Sequence, residues 1–166
     1  TSRFFRWAQV ASGAGVAFMH GAQDGQKFMS IFVLAITLAT GVGQADQMIL
    51  PIWLMFFCAL NMGLGTAVGG ERIIKSVGLD MVKLEPFQGF AASVATFFCL
   101  MLSTFAGLPV STTHTNTTAI MGVGAAKRKS AVKWGIAIDM VKTWVLTFPG
   151  CGLLGFAFAH LFLMFS

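Results

Sequence analysis

Two short stretches of this chain hold side chains able to bind ions, and both are set among apolar residues. The first, His20-Gly21-Ala22-Gln23-Asp24-Gly25-Gln26-Lys27, puts a carboxylate between two glycines. A carboxylate among apolar helices is costly, so Asp24 is a functional candidate by default; the plainer reading is an interfacial charge paired with Lys27, three residues on. Glycines at this spacing are expected to break a helix and leave carbonyls and amides unpaired, the groups that bind ions in broken transporter helices. The second stretch, Ser111-Thr112-Thr113-His114-Thr115-Asn116-Thr117-Thr118, begins two residues after Pro109. Ser111 or Thr112 is expected to cap a helix. Free first-turn amides, the positive dipole end and several hydroxyls then make an anion site that needs no Arg or Lys.

An anion at Ser111, Thr112 and Thr113 with Asp24 nearby would be repelled strongly at low dielectric. A bound cation, or a proton on Asp24, removes that penalty. Anion binding thereby becomes dependent on cation binding, the thermodynamic requirement for symport. Gln23, Thr115 and Asn116 are the neutral oxygen donors at hand for the cation. His20 and His114 each adjoin one polar stretch, where each could donate to an anion or relay a proton; a lone His is more often a packing and hydrogen-bonding residue.

The elements that must position these groups are legible in the composition. The 166 residues are 56% hydrophobic and 10% charged, with a mean hydropathy of +0.78. Ordinary soluble domains carry roughly a quarter charged residues, which excludes most aqueous proteins and disordered chains. An all-α integral membrane protein remains, one transmembrane domain over residues 1–166, with room for five or six segments at about 20 residues per span. The net charge of +5 does not imply nucleic acid. Its Lys and Arg residues cluster between apolar runs, as retained cytoplasmic loops do. Cys58, Cys99 and Cys151 sit singly and read as small hydrophobes. No nucleotide-binding, zinc-protease or hydrolase motif is present, so an enzyme is not expected.

Charge spacing gives the topology. Gln47 to Gly70 is about 36 Å of helix, enough for one tilted span. It is expected to run from an outer connection near Asp46, with Trp53 as interface anchor, to an inner connection holding Glu71, Arg72, Lys75 and Lys83. Pro86 to Ala126 has basic residues beyond both ends. It must therefore turn around, and Gly107-Leu108-Pro109 is the turn signal, which predicts a helical hairpin. Arg3 and Arg6 inside require one crossing before Asp46, so a discontinuous helix broken at Gly21 to Gly25 is expected. Asp139 and Lys142 have pairing distance in sequence, Pro149-Gly150 kinks or divides the last apolar run, and Gly65 and Gly69 fit close helix packing.

These residues carry a family likeness. His20 to Lys27, Gly70-Glu71-Arg72-Ile73-Ile74 and Gly107-Leu108-Pro109-Val110-Ser111-Thr112-Thr113-His114-Thr115 resemble the three motifs of the inorganic phosphate transporter (PiT/Pho4) family, with Gln23 where an Asn is usual. The likeness covers about Phe18 to Phe156. It implies the C-terminal half of an inverted-repeat transporter, multi-pass in the cell membrane. It further implies symport of inorganic phosphate with Na⁺ or H⁺, and ligands drawn from both halves. Asp24, with Gln23, Thr115 and Asn116, would serve the coupling ion, a bound Na⁺ if sodium is used; Ser111, Thr112, Thr113, His114 and Gln23 would serve phosphate. No other cofactor is expected. The N-terminal half and the lipid bilayer are the implied partners, and pairing as a homodimer is left open. A sulfate permease of the same family and a non-transporting membrane scaffold or regulatory subunit are the alternatives.

Overall fold

The computed structural model describes residues 2–40 and 50–165, apart from the side chains of Ser2, Thr40, Arg72 and Phe165. The connection expected around Asp46 lies outside the described residues. Within these residues five α-helices follow in order: α1 (Ser2–Thr40), α2 (Ile52–Ile73), α3 (Pro86–Phe105), α4 (Thr112–Lys127) and α5 (Trp134–Phe165). A π-helical segment, Ile74–Met81, extends α2, and a single 3-10 turn, Lys129–Ala131, links α4 to α5. Among the described residues, three stretches, Ile52–Met81, Pro86–Phe105 and Trp134–Met164, are long and apolar enough to cross a bilayer.

The expected break in the first helix does not occur. α1 is α-helical without interruption through Gly21 and Gly25 for 39 residues, about 58 Å at 1.5 Å per residue. An interior glycine costs only about 1 kcal/mol relative to alanine, whereas an unwound turn must find new partners for every freed amide and carbonyl. The polar side chains here reach their partners from an intact helix, so nothing drives unwinding. The glycines instead thin α1: a Cβ at Gly21 would meet nothing within 4 Å, and Gly21, Ala22 and Gly25 line an open groove against α2.

The expected hairpin is present. Pro86 opens α3 at its first turn, and the Gln88 side chain accepts the Glu85 N–H at 2.9 Å, two devices that fix a helix start. α3 ends at Phe105, and two residues on Gly107 has a φ of +67°, a conformation that favours glycine. The chain then returns as α4, and Glu85 before α3 pairs with Lys127 at the end of α4.

Registry along α1 shows which way the hairpin points. Phe5 packs against Phe87 and Phe90, Gly15 against Phe97, and Gln23 bonds Thr104, so α1 and α3 run parallel. The hairpin tip therefore lies level with Lys27, about 20 Å short of the end of α1 at Thr40. The chain turns back part-way along its neighbour.

The root of the hairpin is closed by apolar packing. Val82 and Val132, just before α3 and just after the 3-10 turn, form an antiparallel bridge. They cluster with Val77, Met81 and Ala137, all buried. Gly124 of α4 sits against them: a Cβ there would lie 2.7 Å from Val82 Cγ1 and 3.2 Å from Val132 Cγ2. α5 touches the rest through Ala137 and Trp144 and runs through Pro149 without dividing. Asp139 and Lys142 pair at 3.1 Å as the spacing suggests. Gly65 and Gly69 have nothing within 4 Å of a built Cβ, so the close packing they suggested is not made within the described residues.

Gly124→Ala should cost about 1–3 kcal/mol through overpacking of this root, lowering the melting temperature of the detergent-solubilised full-length protein. Gly122→Ala, with open space around it, should not lower it.

Candidate functional site

The two polar stretches meet where the hairpin tip reaches the middle of α1. Thr112, at the first turn of α4, donates its hydroxyl to Asp24 Oδ2 at 3.1 Å. His20, one turn before Asp24, brings Nδ1 to 2.6 Å from Thr112 Oγ1 and 3.3 Å from Asp24 Oδ2. With the Thr112 hydroxyl donating to the carboxylate, the consistent assignment is His20 Nδ1–H donating to Thr112 Oγ1. The other carboxylate oxygen, Oδ1, takes Lys27 Nζ at 2.9 Å, and the same ammonium donates to the Val110 carbonyl at 2.6 Å. The Asp24 side chain is 23% exposed, so its two oxygens are partly withdrawn from water and each has a protein partner.

Local sequence explains why these groups converge. His20, Asp24 and Lys27 fall on one face of a helix at i, i+4 and i+7. Ser111 is the N-cap of α4, its Oγ accepting the His114 amide at 3.3 Å, so Thr112 opens the first turn with its side chain at the α1 contact. The first intrahelical bond, Thr115 N–H to Ser111 O, leaves the Thr112 and Thr113 amides ahead of it. The positive end of α4 thus abuts the Asp24 carboxylate, a favourable placement for negative charge.

Gln23 is buried and donates to Thr104 Oγ1 at 2.8 Å, joining α1 to the end of α3. Beside it lies a cavity of about 210 Å³ lined by Gln23, Gln26, Lys27, Ser30, Thr104 and the turn Gly107–Pro109. That is smaller than the 300–1,000 Å³ that drug-sized ligands occupy, and it suits a small ion.

Of the residues the sequence singled out, Asp24 and Thr112 are brought into contact, with Gln23 and Ser111 adjoining. Thr113 is exposed on the same first turn. His114 faces away: its ring lies on Trp144 of α5, with centroids 3.9 Å apart. Thr115 bonds back to Ser111 O, and Asn116 bonds Thr96 of α3, so neither reaches the carboxylate. Sequence reasoning treated Lys27 only as a pairing partner and overlooked Thr104 and the Val110 carbonyl. The i, i+3 spacing of Asp24 and Lys27 was the available signal for the first; the other two partners are distant in sequence.

The longest described helix thus carries a part-buried carboxylate against the capped N-terminus of α4, in a helical protein with three stretches able to cross a bilayer. Residues 1–155 match the phosphate transporter family (PHO4), and the chain belongs to it. It is 41% identical to a probable low-affinity inorganic phosphate transporter of Bacillus subtilis, over 93% of this chain and 46% of that one. It is 29% identical to the human sodium-dependent phosphate transporter 2, over 90% of this chain and 23% of that one. A solved structure described as the sodium-dependent phosphate transporter superposes with a TM-score of 0.77 at 28% identity, covering 89% of this chain and 37% of that one. The chain spans less than half the length of these relatives.

Thr112→Val should cost about 1.5–3 kcal/mol, the scale of a hydrogen bond to a charged group, because Asp24 Oδ2 loses its donor in a part-buried place. Thr118→Val, exposed and bonded only to carbonyls of its own helix, should stay within about 0.5 kcal/mol. Thermal unfolding of the solubilised protein compares them.

Proposed function

We propose that this chain is the C-terminal half of a cell-membrane symporter of two inverted halves, which carries inorganic phosphate together with Na⁺ or H⁺ by alternating access. The observation that supports it is the Thr112–Asp24 hydrogen bond. It joins the stretch suited to an anion to the stretch suited to a cation. The relatives' names supply the anion, since they describe inorganic phosphate and sodium-dependent phosphate transporters.

The coupling follows from electrostatics. Phosphate approaching the α4 first turn, with its Ser111 and Thr112 hydroxyls and Thr113 amide, comes close to Asp24. At an effective dielectric of 20, two unit charges 4 Å apart repel by about 4 kcal/mol, close to a thousandfold in affinity. Lys27 Nζ, 2.9 Å from Oδ1, offsets part of that penalty, and a proton or a further cation at the carboxylate offsets more, so phosphate binding is favoured by positive charge at Asp24. Gln23 and the cavity beside it give the second wall of the pocket. The other half of the transporter completes the ligand set.

Labelled phosphate uptake into vesicles holding the complete protein, with imposed Na⁺ or proton gradients and competition by sulfate and arsenate, tests this reading. Asp24→Asn should abolish cation-coupled uptake while membrane insertion is retained. Ser111→Ala with Thr112→Ala should raise the phosphate KM about tenfold or more, whereas Trp53→Phe should leave it unchanged. Sulfate uptake without phosphate uptake would overturn the substrate, and wild-type uptake by Asp24→Asn would remove the carboxylate from the mechanism.

A further inference from the structure

Lys27 is the one cation in contact with Asp24 among the described side chains whose charge does not depend on a histidine. It does more than pair with a neighbour on its own helix. Its Nζ lies 2.9 Å from a carboxylate oxygen and 2.6 Å from the Val110 carbonyl. A carboxylate on one element and an irregular backbone carbonyl on another are the oxygen ligands that broken helices offer to alkali cations. Val110 lies between the turn and the α4 cap, outside the helical hydrogen bonding of either arm. Its carbonyl is therefore a ligand from the hairpin tip, not a part of a helix.

We propose that the Lys27 ammonium is the resident cation of the Asp24 site, standing on the carboxylate and the Val110 carbonyl where a free metal ion would otherwise be required. The assignment rests on the phosphate-transport reading and deepens it by naming the charge that lets phosphate approach Asp24, which leaves a proton and not sodium as the coupling ion. It also defines Lys27 as a specificity-determining residue for the coupling ion. With the ammonium in place, sodium has no vacancy on Oδ1. With it removed, Asp24 keeps its negative charge and the Val110 oxygen loses its donor, which leaves a carboxylate and a carbonyl facing one gap. A cavity of about 210 Å³ adjoins the Lys27 side chain.

A surface ion pair predicts none of this. Exposed pairs contribute little and their loss is tolerated, as expected for Asp139 and Lys142. The Lys27 ammonium instead also donates to the hairpin tip, and its side chain is more than half covered.

The test is labelled phosphate uptake by the complete transporter in medium containing sodium or, in its place, choline. The wild-type protein is expected to work equally in both. Lys27→Met is expected to fall at least tenfold in choline and to recover with sodium or lithium, while Lys27→Arg keeps the wild-type indifference. Lys27→Gln, which retains length and a donor for Val110, serves where Lys27→Met fails to reach the membrane, and it should behave as Lys27→Met does. A thermal shift on adding sodium to the purified protein, expected for the Met and Gln variants and absent from the wild type, reads the site without transport. Equal sodium dependence in wild type and variants overturns the assignment. So does loss of uptake in both media by a variant present in the membrane at the wild-type level. Wild-type vesicles that accumulate no phosphate in either medium overturn the transport reading itself.

Discussion

A carboxylate withdrawn from water must be matched at both oxygens, and the arrangement of the chain's polar centre depends on how Asp24 meets that demand. Burying an ion costs several kcal/mol even after relaxation, and the cost is recovered only with good geometry and hydrogen bonds to the remaining lone pairs. Lys27 serves Oδ1, while Thr112 and His20 stand at Oδ2. Two of these groups come from α1 itself, but Thr112 belongs to α4, and the Lys27 ammonium is anchored in turn to the turn before α4. Satisfying one side chain therefore sets the height of the hairpin tip against α1.

The two ends of the hairpin are held by different physics. At the tip, polar groups meet with a cavity between them, and Gln23 to Thr104 ties α1 to the end of α3. At the root, buried apolar side chains close around Gly124, and small residues let α1 and α3 approach along their length: Gly15 receives the Phe97 ring and Gly89 the Gln9 amide. Apolar packing is tight and non-directional, whereas the polar contacts are few and directional. Directional contacts can be broken one at a time, whereas a packed frame yields only as a whole.

Much of this was legible because the signals were local. Pro109 after Gly107 marked the turn, Ser111 marked the cap, and the basic residues flanking Pro86 to Ala126 required the chain to return. The break in α1 was misread because glycine propensity is a weak local term, of about 1 kcal/mol, and partners on the hairpin reached Asp24 without it. His20 and His114 look alike in sequence, each beside a polar stretch. Their helical phase separates them, one turned to the carboxylate and the other to Trp144. The same phase turns Asn116 towards Thr96, away from Asp24. Thr104 and the Val110 carbonyl carried no mark at all, since only the folded registry of α1 beside α3 brings them to Gln23 and Lys27.

The bridge between Val82 and Val132 ties the residue leading into α3 to the one leaving the turn after α4, while the Met81 carbonyl takes the Lys133 amide at 3.0 Å. Both legs of the hairpin are thus clasped where they enter the frame. Spreading them apart would mean tearing that clasp and its apolar padding, so a push delivered at the tip has no outlet in splaying. A load placed on the tip is therefore shared by both legs before it reaches the frame.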